Sequence, residues 1–441
     1  MTKITSRCSF TLLVLVLVGT NLFSSSSAQS PTPQTKSYFQ VKEDAGVWSF
    51  VDPQKRKFFS IGINCINPKD ESKGQGRSYN GLQKHGGDPD KWSSATRKRL
   101  EDWNFNTLGA WSSLRGQPYV IELSLGYSYA DVFAADFEKY VQDRAVKVLK
   151  ELAVESYEVL DKDPLLIGCF TSNELSWGWG FGWKNKKGLE SLFEFYVNLP
   201  PESEGKKAWA DYLAGAFKND WKKLGEVWDV KVKSRDDLLK LKKIAPVSPA
   251  VYTAAEEIAN GFVRKYAERY FSITDAVMRK HLPHHLNLGC RLTPSNPAPV
   301  IEVAGKYCDV ISFNIYSKDL AEIREELTRL HQLSKKPVML TEYAFLAKHN
   351  RSGNTNKDYE RVVVANDRER GELYSHCAEA LCKLPFLVGF HWFQYFDEPS
   401  QGRGDGENCN FGFVDVEDAV YEDLARAATE ANKKVLNLRQ K

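Results

Sequence analysis

The chain has 441 residues, 42% hydrophobic and 27% charged, a balance that excludes a disordered or low-complexity protein. Its formal net charge of +3 is too small to imply a nucleic-acid partner, and runs such as RKRLED and AEIREELTRL interleave both signs, as a mixed solvated surface does. No stretch reaches the ~20 apolar residues that a membrane-spanning helix needs, so no membrane anchor is expected.

The N-terminus carries Lys3 and Arg7, an apolar run from Phe10 to Val18, and a Ser-rich stretch closing with Ser26, Ser27 and Ala28. That order is a secretory signal peptide over residues 1–28, and it predicts a secreted or periplasmic protein. Residues 29–37, QSPTPQTKS, read as a flexible leader, which leaves 38–441 as one domain. Removing the signal leaves Cys65, Cys169, Cys290, Cys308, Cys377, Cys382 and Cys409, an odd set that excludes a complete disulfide framework. Cys65, Cys169 and Cys290 lie in expected buried strands, where a thiol is an ordinary core group. The eight His are scattered without an HExxH arrangement and no Cys spacing resembles a zinc site, so neither metal nor cofactor is expected.

Eight short apolar runs then follow: Phe58 to Ile66, Phe105 to Trp111, Tyr119 to Leu125, Leu165 to Thr171, His285 to Leu292, Val310 to Tyr316, Pro337 to Phe345 and Leu387 to Tyr395. Ala134 to Leu160, Ala254 to His281, Leu320 to Ser334 and Asp367 to Lys383 carry apolar residues at helical spacing, whereas the second and third runs lie too close for a good helix between them. Eight near-continuous apolar strands with intervening helices predict a covered parallel sheet closed into a (β/α)8 TIM barrel, with chemistry at the C-terminal strand ends. A doubly wound sheet is disfavoured, because no Gly-rich phosphate loop follows any strand.

The fourth run ends in TSNELSW and the seventh in LTEYAF, so Glu174 and Glu342 both lie at strand ends. A strand-end carboxylate is costly unless paired or functional, and glycoside hydrolysis needs two of them across the scissile bond. Between these strands an insertion from Ser176 to about Ala250 holds six of the 11 Trp. EFYVNLPPES, AWADYLAGAF and WKKLGEVW suggest a small helical subdomain there, with Trp209, Trp221 and Trp228 as packing and Trp177 and Trp179 as sugar contacts.

Asn173-Glu174, Glu342, Tyr316 in SFNIYS and Trp392 in GFHWFQYFDEP form an ordered set resembling the large clan of retaining glycoside hydrolases with catalytic residues on strands four and seven. HHLNLGCRL, DVISFNIYS and GFHWFQYFDEPSQGRGDGENCNFGFVD resemble most closely the β-agarases of glycoside hydrolase family 50, although the large N-terminal β-sandwich region of those enzymes is lacking. The resemblance implies Glu174 as general acid/base, Glu342 as nucleophile, Asn173 on the sugar 2-hydroxyl and Tyr316 on the nucleophile. Asn314 of the same segment joins the substrate-binding candidates. Trp392 is expected as an aromatic floor under the reacting sugar. Arg291, ending the fifth strand, pairs with Glu174 or Glu342, binds substrate, or is a structural rim ion pair. The loop Asp397 to Asn410 either contacts sugar hydroxyls or satisfies itself.

The expected partner is a poly- or oligosaccharide, without nucleic acid or an obligatory protein. A β-mannanase or cellulase-like enzyme of the same clan is the alternative, and a non-catalytic carbohydrate-binding barrel the rival of another class. A metal-dependent barrel hydrolase would need His or carboxylate clusters at several strand ends.

Overall fold

The computed structural model describes residues 37–126, 131–152, 157–177, 192–244 and 249–440. The expected signal peptide, nearly all of the leader, and Trp179 lie outside these residues.

The described chain opens with a small antiparallel sheet of β1 (Gln40–Asp44), β2 (Val47–Val51) and β3 (Lys57–Phe58). The first strand of the main sheet, β4 (Ser60–Ile63), is followed by α1 (Pro89–Asp102), β5 (Thr107–Leu108) and β6 (Tyr119–Glu122). Next come α2 (Phe137–Leu152), α3 (Tyr157–Asp161) and β7 (Leu166–Phe170), then the insertion helices α4 (Leu192–Asn198), α5 (Glu204–Ala216), α6 (Trp221–Trp228) and α7 (Arg235–Lys240). The long α8 (Pro249–His281), β8 (Leu286–Asn287), α9 (Ala298–Tyr307), β9 (Ile311–Asn314), α10 (Leu320–Ser334) and β10 (Val338–Tyr343) continue the alternation. A two-stranded sheet of β11 (Leu346–Ala347) and β12 (Val363–Val364), then α11 (Asp367–Leu381), β13 (Leu387–Trp392) and α12 (Glu422–Arg439) complete it.

The eight strands β4 to β10 and β13 each lie within an expected apolar run, and they form one sheet in the order β8-β7-β6-β5-β4-β13-β10-β9, parallel at every ladder. The complete (β/α)8 TIM barrel expected from the sequence is corrected here: the sheet curls, but its outermost strands β8 and β9 share no ladder. A single parallel bridge, Leu292 to Phe313, spans the two. The reason is local. Gly289 (φ +78°) and Arg291 (φ +50°) leave the extended region just past Asn287, which cuts β8 to two residues. The regular βα repeat also fails between β5 and β6, where no helix intervenes.

Both faces of the sheet are apolar, as continuous hydrophobic strands require. Inside the curl, Ala110, Val120, Ile167, Phe170, Leu288, Val310, Met339 and Val388 form one core with Phe50 of the small sheet and Phe39 just before it. A larger core joins the outer face to the helices. In the insertion the starts of α5, α6 and α7 are marked by capping side chains: Ser203, Asp220 and Ser234 accept from the backbone N–H of Lys206, Lys223 and Asp237.

Trp209 and Trp228 are fully buried on Phe193, and Trp221 is half-buried. Trp177, expected as a sugar contact, is corrected to a core residue: it is fully buried, stacked on Phe271 at 5.3 Å and edge-on to Tyr270 at 5.1 Å, both on α8. Trp177→Ala should therefore lower the unfolding free energy by about 3–5 kcal/mol in chemical denaturation, whereas a solvent-facing sugar contact would leave stability near wild type.

Candidate active site

Because every ladder of the main sheet is parallel, all eight C-terminal strand ends open on one side. Five successive strands reach that side through a non-glycine residue in the left-handed region: Cys65 after β4, Trp111 after β5, Ser124 after β6, Glu174 after β7 and Arg291 after β8, with φ between +50° and +59°. Such backbone costs of order 1 kcal/mol or more per residue and persists where the surrounding structure enforces it. Here the turns aim chemically different side chains at one mouth.

The two carboxylates are joined by a short network. Asn314 ends β9 beside Glu342 in the ladder with β10. Its Oδ1 accepts from the Thr341 hydroxyl at 2.7 Å, which fixes the amide so that Nδ2 donates to Glu174 Oε1 at 2.9 Å and to Asn173 Oδ1 at 3.3 Å. The backbone N–H of Glu174 donates to the carbonyl of Arg291 at 3.2 Å. Arg291 Nη2 in turn meets Glu342 Oε1 at 3.0 Å and the Thr341 carbonyl at 2.8 Å, and the Tyr316 hydroxyl donates to Glu342 Oε2 at 2.7 Å. Of the roles left open for Arg291, the structure provides the ion pair with Glu342; its side chain is fully buried, over the rings of Trp111 and Phe170.

This asymmetry sets the proton. Burial pushes both carboxyls up, but Glu342 has a cation and a phenol to hold its charge, which pull back. Glu174 has burial and then the negative charge of Glu342 against it, opposed by the Asn314 amide and more weakly by the charge of Arg291, and is pushed up to about 8. A proton shared by the pair is therefore favoured on Glu174 rather than on Glu342.

Trp392 is corrected as well. It is fully buried, its indole N–H donates to the Phe411 carbonyl at 2.7 Å, and its ring packs on Tyr374 of α11 and on Phe413. Side chains alternate along a strand, so Trp392 faces the helices while His391 points the other way, to Ser60 Oγ at 2.8 Å. Phe393 follows on the inner side, edge-on to Trp111 at 6.2 Å. A bulge at Val388, between the ladder partners Leu387 and Gly389, sets this alternation, and the sequence gives no sign of it.

The polar loop after β13 is largely a network of its own. Arg403 pairs with Glu398, Asp405 and Glu407, Asn408 accepts from Asn354, and Asn410 accepts from Asn356. Glu407 nevertheless adds negative charge near both Glu174 and Glu342. Glu122 and Trp111 went unnoticed in the sequence. Both stand at strand ends, the criterion that picked out the two catalytic candidates, and applying it to every polar or aromatic residue would have found them.

The protonation pattern predicts a bell-shaped kcat/KM profile. Activity should be lost as pH rises through about 8, where Glu174 gives up its proton, and also as pH falls into the range where Glu342 is protonated. A descending limb in the ordinary carboxylate range would contradict it.

No family model matches the chain. It is similar to two curated β-agarases of Vibrio sp. (strain JT0107): β-agarase B, 27% identical over 94% of this chain and 50% of the relative, and β-agarase A, 26% identical over 94% and 48%. The chain thus spans about half the length of the curated relatives it matches. Among solved structures, an exo-β-agarase superposes with a TM-score of 0.72 at 23% identity and an agarase with 0.73 at 24%, each over 92% of this chain and 66% of the other. These likenesses establish a shared fold. The homologues are family 50 β-agarases, the narrower part of the resemblance read from the sequence; the wider clan, with its closed barrel and retaining chemistry, is not carried by them.

Proposed function

We propose that this chain is a secreted glycoside hydrolase that cleaves β-glycosidic bonds of an agarose-type galactan with retention of anomeric configuration. The observation that carries it is the unequal pair of Glu174 and Glu342, bridged through Asn314 and Arg291 at one mouth of the sheet. The similarity to β-agarases supports the substrate class. The signal-like N-terminus supports export, with residues 38–441 as the catalytic domain and its insertion at about 176–250.

Glu174, protonated in the free enzyme, donates its proton to the departing glycosidic oxygen. Glu342, ionised and held by Arg291 and Tyr316, attacks the anomeric carbon and forms a glycosyl ester. Esterification removes the negative charge that had raised Glu174, so its affinity for a proton falls and it becomes a carboxylate. That carboxylate takes a proton from water as the water attacks the anomeric carbon, releasing a product of the original configuration and restoring Glu342. Asn173 is assigned to the sugar 2-hydroxyl, where its amide serves as donor and acceptor.

Glu174→Ala and Glu342→Ala should each remove nearly all turnover of agarose in a protein that still folds, with Glu174→Ala unfolding close to wild type and Glu342→Ala at a lower temperature, because Arg291 loses its buried partner. A Glu342→Ala enzyme that remains active, or a wild-type protein that binds glycans without cleaving any, would overturn the enzyme reading. Preferential hydrolysis of mannan or cellulose would overturn the galactan assignment alone. Proton NMR of the first-formed product should show the β-anomer, and an initial α-anomer would rule out the double displacement.

A further inference from the structure

Trp111 is the one exposed Trp among the described residues, with 38% of its surface open. An exposed indole at a strand end is notable when most other described Trp residues are buried. Nor is its position loose. The residue follows β5 in the same left-handed conformation, φ +58°, that Glu174 and Arg291 adopt after β7 and β8. Its carbonyl accepts from Asn67 Nδ2 at 2.9 Å, the half-buried Glu122 side chain stands near the indole, and Phe393 abuts its edge. The Arg291 guanidinium lies 4.4 Å from the ring centroid and covers one face, while the same Arg291 holds Glu342.

We infer that Trp111 is the sugar-stacking platform of this site, its uncovered face receiving a pyranose unit next to the bond that Glu174 and Glu342 flank. This rests on the glycosidase reading above. A pyranose presents a face of C–H groups, apolar and slightly positive, which the π face of an aromatic ring attracts. The platform must be flat, oriented and wet on one side, and the backbone hydrogen bond from Asn67, the cation beneath and the Phe393 edge hold the indole in such a pose. The floor expected of Trp392 thus falls to a Trp on another strand, one aromatic step from Phe393.

The bland role for Trp111 is a roof that keeps water from the ion pair of Arg291 and Glu342, and the two roles separate in a background that lacks the ion pair. Binding of agarose, mannan and cellulose oligosaccharides would be measured by calorimetry for Glu342→Ala alone and combined with Trp111→Leu or Trp111→Phe, with thermal unfolding as a check on folding. Leu keeps the apolar cover but not the flat π face. The expected result is a Kd for the bound oligosaccharide raised about tenfold by Trp111→Leu and far less by Trp111→Phe. An unchanged Kd in the Leu variant overturns the platform and leaves the glycosidase reading intact. A Glu342→Ala parent that binds none of the three glycans overturns both.

Discussion

One fully buried cation that pairs with only one of two neighbouring carboxylates is the constraint on which this site depends. Arg291 sits at full burial in an ion pair with Glu342, so Glu174 feels that cation without a direct contact and against the negative charge of Glu342. Two adjacent negative charges with a single guanidinium between them would be strongly unfavourable, and the relief is to keep a proton on the less supported member. The rest of the mouth serves that division. Tyr316 adds a second donor to Glu342, Thr341 orients the Asn314 amide toward Glu174, and Phe170 and Trp111 cover the guanidinium.

The backbone pattern is the second consequence. A parallel sheet delivers its strand ends to one side, but extended strands alone would carry their side chains past the centre. Left-handed residues after five successive strands turn the chain at the mouth. Glycine would do so with less strain, yet glycine has no side chain, and Glu174, Arg291 and Trp111 are needed for theirs. The same turn at Arg291, with Gly289 before it, shortens β8 and leaves the sheet without a closing ladder. Chemistry and sheet closure compete here for the same few residues.

Much of this was legible in the sequence. The eight strands announce themselves as short, mainly apolar runs because a sheet covered on both faces has no solvent-facing positions along them. Glu174 and Glu342 stand out because a carboxylate directly after such a run has nowhere inexpensive to go. Closure was not legible, since it depends on dihedral angles at Gly289 and Arg291 rather than on the hydrophobic pattern. Trp392 was assigned to the wrong face because a bulge at Val388 resets a two-residue alternation. Trp177 reads like its neighbours in WGWGFGW, and only the packing of Phe271 and Tyr270 from distant α8 makes it core.

The central claim is that the charge of Glu342 holds the proton on Glu174, and a direct titration of that carboxyl tests it without reference to any substrate. Carbon-13 NMR of protein labelled at the glutamate carboxyls, assigned by Glu174→Gln, would follow Glu174 in the wild type and in Glu342→Gln. The account predicts titration near about 8 in the wild type and a clear fall when the neighbouring charge is removed. A Glu174 that titrates in the ordinary carboxylate range in the wild type, or that does not move in Glu342→Gln, would contradict it.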